Sequence, residues 1–236
     1  MLHYSYFIYS SALAALLAIV IFLRRDLFKD AIPSFVFGAV LGPVVEILYG
    51  SDYWHPPSIW HVDGVRIEDV LFGIAILGLA LVLYPFIFRK ILSPIASGRE
   101  RHLKTFGTLA AIALCLVIFT KVLQINSVYA TAITFTAIWL LICSRRKDLL
   151  LPGFTSGLLF VCLAFIIYGV FLNIFISEKD LQAIWLIHNS RLGITILGKV
   201  PVSELVWFFG VGCLLSIFEL FVNNRTYIDK KLPKSK

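Results

Sequence analysis

The sequence predicts an all-α, polytopic integral membrane protein: seven transmembrane helices arranged as two parallel three-helix repeats plus a connector helix. Three observations predict it. Of 236 residues, 59% are hydrophobic and only 15% charged, and the mean hydropathy is +0.90, an excess that a water-soluble domain does not need. The apolar residues fall into seven runs, each near the roughly 20 residues that a helix needs to cross a hydrocarbon core of about 30 Å. The basic residues alternate between the connections, as they do when cytoplasmic loops collect Lys and Arg.

The runs are Phe7–Leu23, Ala31–Tyr49, Asp69–Phe88, Thr105–Leu123, Val128–Cys143, Pro152–Ile176 and Glu204–Val222. Connections of one parity hold sixteen basic residues, among them Arg24, Arg25, Arg89, Lys90, Arg145, Arg146 and Lys230; those of the other parity hold five, Arg66, Lys121, Lys179, Arg191 and Lys199. That asymmetry predicts a multi-pass protein of the cell membrane with its N-terminus outside and its C-terminus cytoplasmic, which requires an odd number of spans.

The first three and last three helices read as copies of one unit. After the first helix comes RRDLFKDAIPSFVFGAVLGPVVEILYG, and after the fifth RRKDLLLPGFTSGLLFVCLAFIIYGVF. Each is followed by an outer loop containing tryptophan, and each loop ends at an acid that opens the next helix, in GVRIEDVLFG and in KVPVSELVWFFG. The whole chain, 1–236, is therefore expected to form one membrane domain: repeat 1 over 7–88, a connector helix over 105–123, repeat 2 over 128–222 and a basic cytoplasmic tail over 223–236. An odd connector gives both copies the same orientation, so their acids lie at equal depth.

The net charge of +7 lies in blocks at helix ends, where it sets topology and meets anionic lipid head groups, which argues against nucleic acid as a partner. Cys115, Cys143, Cys162 and Cys213 fall in different helices without metal-type spacing and read as small core residues.

One acid at a helix start is explained by the macrodipole. Here Glu68, Asp69 and Glu204 share the outer side with Glu46, Asp52, Tyr53, Trp54, His55 and Asn173, so polar chemistry is expected in that half of the bundle. A carboxyl shielded from water can serve as a general acid and an ionised neighbour as a base. Acids facing Trp54, Trp60, Phe72, Trp207, Phe208 and Phe209 suit carbocation chemistry on an apolar polyene, because aromatic faces stabilise cations without attacking them. Taken singly, the Trp and Tyr residues also fit an interfacial belt. Glu219, near the inner end of the last helix, reads as a helix–helix hydrogen-bonding residue.

An outer Asp-Tyr-Trp element followed by Pro-x-Glu-Glu/Asp and an aromatic-rich helix resembles the membrane-embedded lycopene cyclases, in both the two-repeat archaeal and fungal form and the heterodimeric actinobacterial form. The residues that carry the resemblance are Asp52, Tyr53 and Trp54, the run Glu68 to Phe72, and the run Pro201 to Phe209. The resemblance implies cofactor-free cyclisation of acyclic carotenoid ends to ionone-type rings, with Glu68, Asp69 and Glu204 catalytic and Trp54, Phe72, Trp207 and Phe208 binding substrate. It also implies an apolar carotenoid and membrane lipid as partners, and is compatible with a homo- or hetero-oligomer. Arg66 stands where the first motif has Pro, and Ser203 replaces the first acid of the second; Arg66 near Glu68 would hold that carboxylate ionised.

Competing readings are fewer. Asp52, His55, His61 and Asp63 are zinc-type ligands within twelve residues, but Pro56-Pro57 breaks any helix that would present them together, and no metal is expected. A retinal protein needs a lysine inside the last helix, which has none. No G-x-G-x-x-G marks a nucleotide cofactor. The remaining alternative is a non-catalytic carotenoid- or lipid-binding protein or a small transporter, for which Gly38 and Gly42-Pro43 are the candidate helix breaks.

Overall fold

The computed structural model describes residues 4–62, 65–95 and 101–230. Among these residues seven helices are long and apolar enough to cross a membrane: α1 (Ser5–Leu23), α2 (Phe28–Tyr49), α3 (Ile67–Ile87), α4 (Arg101–Val117, extended by a π-turn over Ile118–Val122), α5 (Ser127–Arg145), α6 (Leu150–Phe175) and α8 (Val202–Val222); a short α7 (Glu178–Ile184) follows α6. The protein is an all-α polytopic membrane protein. Among the described residues three two-stranded antiparallel ribbons punctuate the bundle: β1 (His61–Val62) with β2 (Val65–Arg66), β3 (Lys90–Pro94) with β6 (Arg225–Asp229), and β4 (Thr195–Ile196) with β5 (Val200–Pro201).

Matching local structures recur in the two halves. Arg24 ends α1 and grips Asp26 with two nitrogens; Arg146 ends α5 and grips Asp148 in the same way, each opening a 3-10 turn into the next helix. A β-hairpin precedes both α3 and α8. Both of those helices stop at a residue in the left-handed region, Arg89 (φ 51°) and Asn224 (φ 50°), which redirects the chain into β3 and β6. The β3–β6 ladder runs from Lys90 opposite Asp229 to Pro94 opposite Arg225, so exchanging the halves maps the pairing onto itself about Leu92 and Tyr227. At the other end of the bundle Trp54 bridges Trp185, with His55 N donating to Ile184 O (2.8 Å) and Leu186 N to Tyr53 O (2.9 Å), again a two-fold pattern. Residues 225–229, assigned from the sequence to a basic tail, thus form one half of a clasp.

α3 and α8 form the centre, with α1 and α2 against α3 and with α5 and α6 against α8. The α2–α3 contact is set by glycine. A Cβ on Gly42 would lie 2.0 Å from the Asp69 carbonyl oxygen, and one on Gly73 2.1 Å from that of Gly38. Small residues let membrane helices approach until their backbones touch, where dispersion replaces the hydrophobic drive. α2 runs unbroken through Pro33 and Pro43, so Gly38 and Gly42 are packing positions and not the helix breaks a transporter reading requires. α4 lies on α5 and α8 and is largely exposed.

Gly73→Ala should lower stability by about 1–3 kcal/mol, because backbone cannot yield to the added methyl. Gly107→Ala, whose methyl would meet no heavy atom within 4 Å, should leave it unchanged; thermal unfolding in detergent measures both.

Candidate functional site

At the end of the bundle that carries the Trp54–Trp185 bridge, a cavity of about 40 Å³ lies between the two halves, lined by Tyr6 and Tyr9 of α1, Glu46 and Tyr49 of α2, Asp69 and Phe72 of α3, Tyr168 of α6, and Glu204 and Trp207 of α8, with Tyr53 and Trp54 above. The lining is predominantly aromatic. α3 and α8 bring one acid each, Asp69 and Glu204, 3% and 5% exposed.

These two residues are counterparts. Aligning Arg66-Ile67-Glu68-Asp69 with Pro201-Val202-Ser203-Glu204 makes Ser203 the equivalent of Glu68 and Phe72 the equivalent of Trp207. Phe72 and Trp207 stack on each other at 6.2 Å with an interplanar angle of 20°, as residues beside a two-fold axis would.

Buried carboxyls need partners, because an unpaired one costs several kcal/mol in an apolar medium. Glu204 receives three donors from three separate segments: Tyr53 Oη and Trp185 Nε1 (2.8 Å) on Oε1, and Tyr168 Oη (2.9 Å) on Oε2. Asp69 Oδ1 accepts from Tyr6 Oη at 2.8 Å. Glu46 pairs with Arg66 at 2.7 Å. Arg66 therefore serves Glu46, and not Glu68 as its position in the sequence suggests. Burial and the neighbouring Glu204 carboxylate push the Tyr53 phenol well above its usual range, so it stays a hydrogen-bond donor at neutral pH. Trp207 Nε1 donates to Tyr49 Oη (2.6 Å), which donates to Thr131 Oγ1 (2.9 Å), tying α8 to α2 and α5 across the floor.

The other predicted residues divide between the cavity and its surroundings. Glu68 is fully buried but turns to the loop, accepting from Ser58 Oγ (2.8 Å) and Ile59 N (2.7 Å), so it secures the segment before β1 and does not line the cavity. Of the predicted substrate-binding residues, Trp54, Phe72 and Trp207 line the cavity. Phe208 sits behind it, packed on Phe160, Tyr168 and Trp207. Trp60 is 65% exposed, and Phe209 packs against Phe154. Asp52 caps α5, accepting from Ser127 N (2.8 Å) and Ser127 Oγ (2.5 Å), where the macrodipole favours an anion. His55 is exposed and Asp63 lies outside the described residues; no group of three metal-ligand side chains occurs among those described. Glu219 accepts from Asn223 (2.8 Å) and Arg225 (3.0 Å), linking α8 to β6 and, through Arg225–Asp30, to α2.

Sequence reasoning missed Tyr6, Tyr9, Tyr49, Tyr168 and Trp185 as site residues. One signal was available: Glu46 and Tyr168 lie the same number of residues beyond Arg24 and Arg146, the marker arginines of the two halves, so a polar side chain recurs at one depth.

Paired acids from two halves of an aromatic-lined membrane bundle define a class: an integral membrane protein with buried carboxyls in a cavity between its two halves. Residues 126–221, from the cap of α5 to the last turn of α8, match the lycopene cyclase family model, in line with the resemblance seen in the sequence. No curated protein and no solved structure matches the chain.

Removing one partner of the Glu46–Arg66 pair leaves a lone charge beside the cavity. Arg66→Met should therefore lower the melting temperature more than the double variant Arg66→Met/Glu46→Gln does, and equal losses would count against the pairing.

Proposed function

We propose that the protein is a lycopene cyclase-type isomerase that closes ionone-type rings at acyclic carotenoid ends without a cofactor, and that residues 7–88 and 128–222, joined by the connector over 105–123, act as one catalytic domain. The observation that carries this reading is the placement of Asp69 and Glu204 in one aromatic-lined cavity, together with the lycopene cyclase match over the second half.

In this reading Glu204 is the base. A carboxylate only accepts hydrogen bonds, the Trp185 indole N–H can only donate, and two phenols complete the set. Glu46 is held by Arg66, which leaves Asp69 as the acid. The Asp69 O–H bond breaks as a C–H bond forms at the terminal double bond. The resulting tertiary cation is attacked by the next double bond of the chain, closing the six-membered ring. Glu204 then removes a proton from carbon next to the ring cation, and the electron pair of that C–H bond becomes the new double bond. The formula of the substrate is unchanged, and the proton passes back from Glu204 to Asp69 before the next turnover. The faces of Phe72 and Trp207 would stabilise the cation during closure.

The cavity of about 40 Å³ has room for a water molecule but not for a ring, so the end group must displace side chains as it enters. The seam between α1 and α6 is closed by ring contacts, Tyr9 on Tyr168 at 5.1 Å and Tyr9 on Phe171 at 6.0 Å, which can part without breaking backbone hydrogen bonds. A second, smaller cavity lies along that seam, lined by Ser5, Phe171, Ile176 and Ile184 among others.

Expression in cells that accumulate lycopene, followed by pigment chromatography, tests the proposal. Cyclised product is expected from the wild type, a loss of about 10²-fold or more from Asp69→Asn and from Glu204→Gln, and near wild-type product from Glu68→Gln. Unchanged lycopene with verified protein in the membrane overturns the catalytic reading, and pigment bound without product favours a carotenoid-binding role.

A further inference from the structure

At the opposite end of the bundle, between α4, α5 and α8, lies a groove of about 550 Å³. Its walls are apolar, formed by Leu103, Gly107, Ala111, Ile138 and Leu141 with Phe221 at the end. Its mouth is cationic, with Lys104, Arg145 and Arg146 all lining it. We propose that this groove is a binding site for an anionic phospholipid, one acyl chain lying between α4 and α5 and the phosphate resting among the three cations.

Three features argue for this occupant. The first is shape: α4 rests loosely on the bundle, and a Cβ built on Gly107 would meet no heavy atom within 4 Å, so an open channel runs beside the α4 backbone. The second is charge. Among the described residues, Asp148 is engaged by two nitrogens of Arg146 and by Thr226, Lys104 sits over the Phe221 ring with its ammonium on Asn224 Oδ1 (2.6 Å), and Arg145 is exposed at the mouth, where its guanidinium can meet a phosphate. Basic pockets between helices at the membrane surface attract lipid phosphates. The third is depth. Lys104 opens α4, Arg145 closes α5, and Phe221 is one residue from the end of α8, so the cations share one level and the apolar walls extend from it toward the bilayer centre. A soluble anion would use the mouth and leave the groove empty; a phospholipid fills both. The site is remote from the carboxyl cavity, so it stands whether or not the chain is a cyclase.

The test uses the full-length protein in nanodiscs of phosphatidylcholine with a minority of phosphatidylglycerol, released and examined by native mass spectrometry. Wild type should retain phosphatidylglycerol preferentially. Arg145→Gln should reduce that preference by about five-fold, the effect expected of one cation near a lipid surface. Gly107→Leu keeps every charge and fills the channel, and should abolish retention of either lipid. Lys29→Gln removes an exposed cation outside the groove and should change nothing. Equal retention of the two lipids by the wild type overturns the proposal. So does an unaltered preference in both groove variants, or a loss in Lys29→Gln as large as that in Arg145→Gln.

Discussion

Burying the Glu204 carboxyl organises the functional end of the molecule. An acid at that depth cannot be left without donors, and the three it takes come from the segment after α2, from α6 and from the segment after α7. Meeting that demand pulls Tyr53 and Trp185 inward, and with them the two chain segments that bridge at Trp54 and Trp185. The connections that roof the cavity are thus held by the group the cavity contains. Tyr53, from the first half, completes the shell of an acid from the second, so neither half builds the site alone.

The halves are alike in frame and unlike in chemistry. Their arginine turns, hairpins, left-handed exits and clasp strands correspond, and Asp69 matches Glu204. Around those acids the correspondence ends: Tyr168 stands where the first half has Glu46, Pro201 where it has Arg66, and Ser203 where it has Glu68. An ion pair flanks one acid and a set of neutral donors surrounds the other. In the proposed cyclisation that difference would fit two similar carboxyls for different work, one to release a proton and one to take it up.

The spans were legible because the bilayer imposes a length and a composition that nothing else in a protein mimics. The acids at helix starts and the tryptophans of the loops before them were legible as a recurring pattern. Which acid faces inward was not. Glu68 and Asp69 are neighbours in sequence, and a helix turns about 100° between them, so one reaches the cavity and the other the loop at Ser58. Only the Ser203 replacement hinted that the second acid of each motif is the shared one. Tyr6, Tyr9 and Tyr168 were hidden because a tyrosine near a membrane boundary looks the same whether it faces lipid, as interfacial tyrosines do, or a buried carboxyl. Arg66 was assigned to Glu68 by nearness along the chain; α2 packs against α3 and offers Glu46 instead.

A double-mutant cycle on Trp185 and Glu204, read as thermal stability in detergent with Trp185→Phe, Glu204→Gln and the pair, tests the account most directly. The indole N–H has no role here but donation, so the two losses should fall short of additivity by about 1 kcal/mol or more. Losses that add to within about 0.5 kcal/mol would mean that the carboxyl does not hold the roof of the cavity in place.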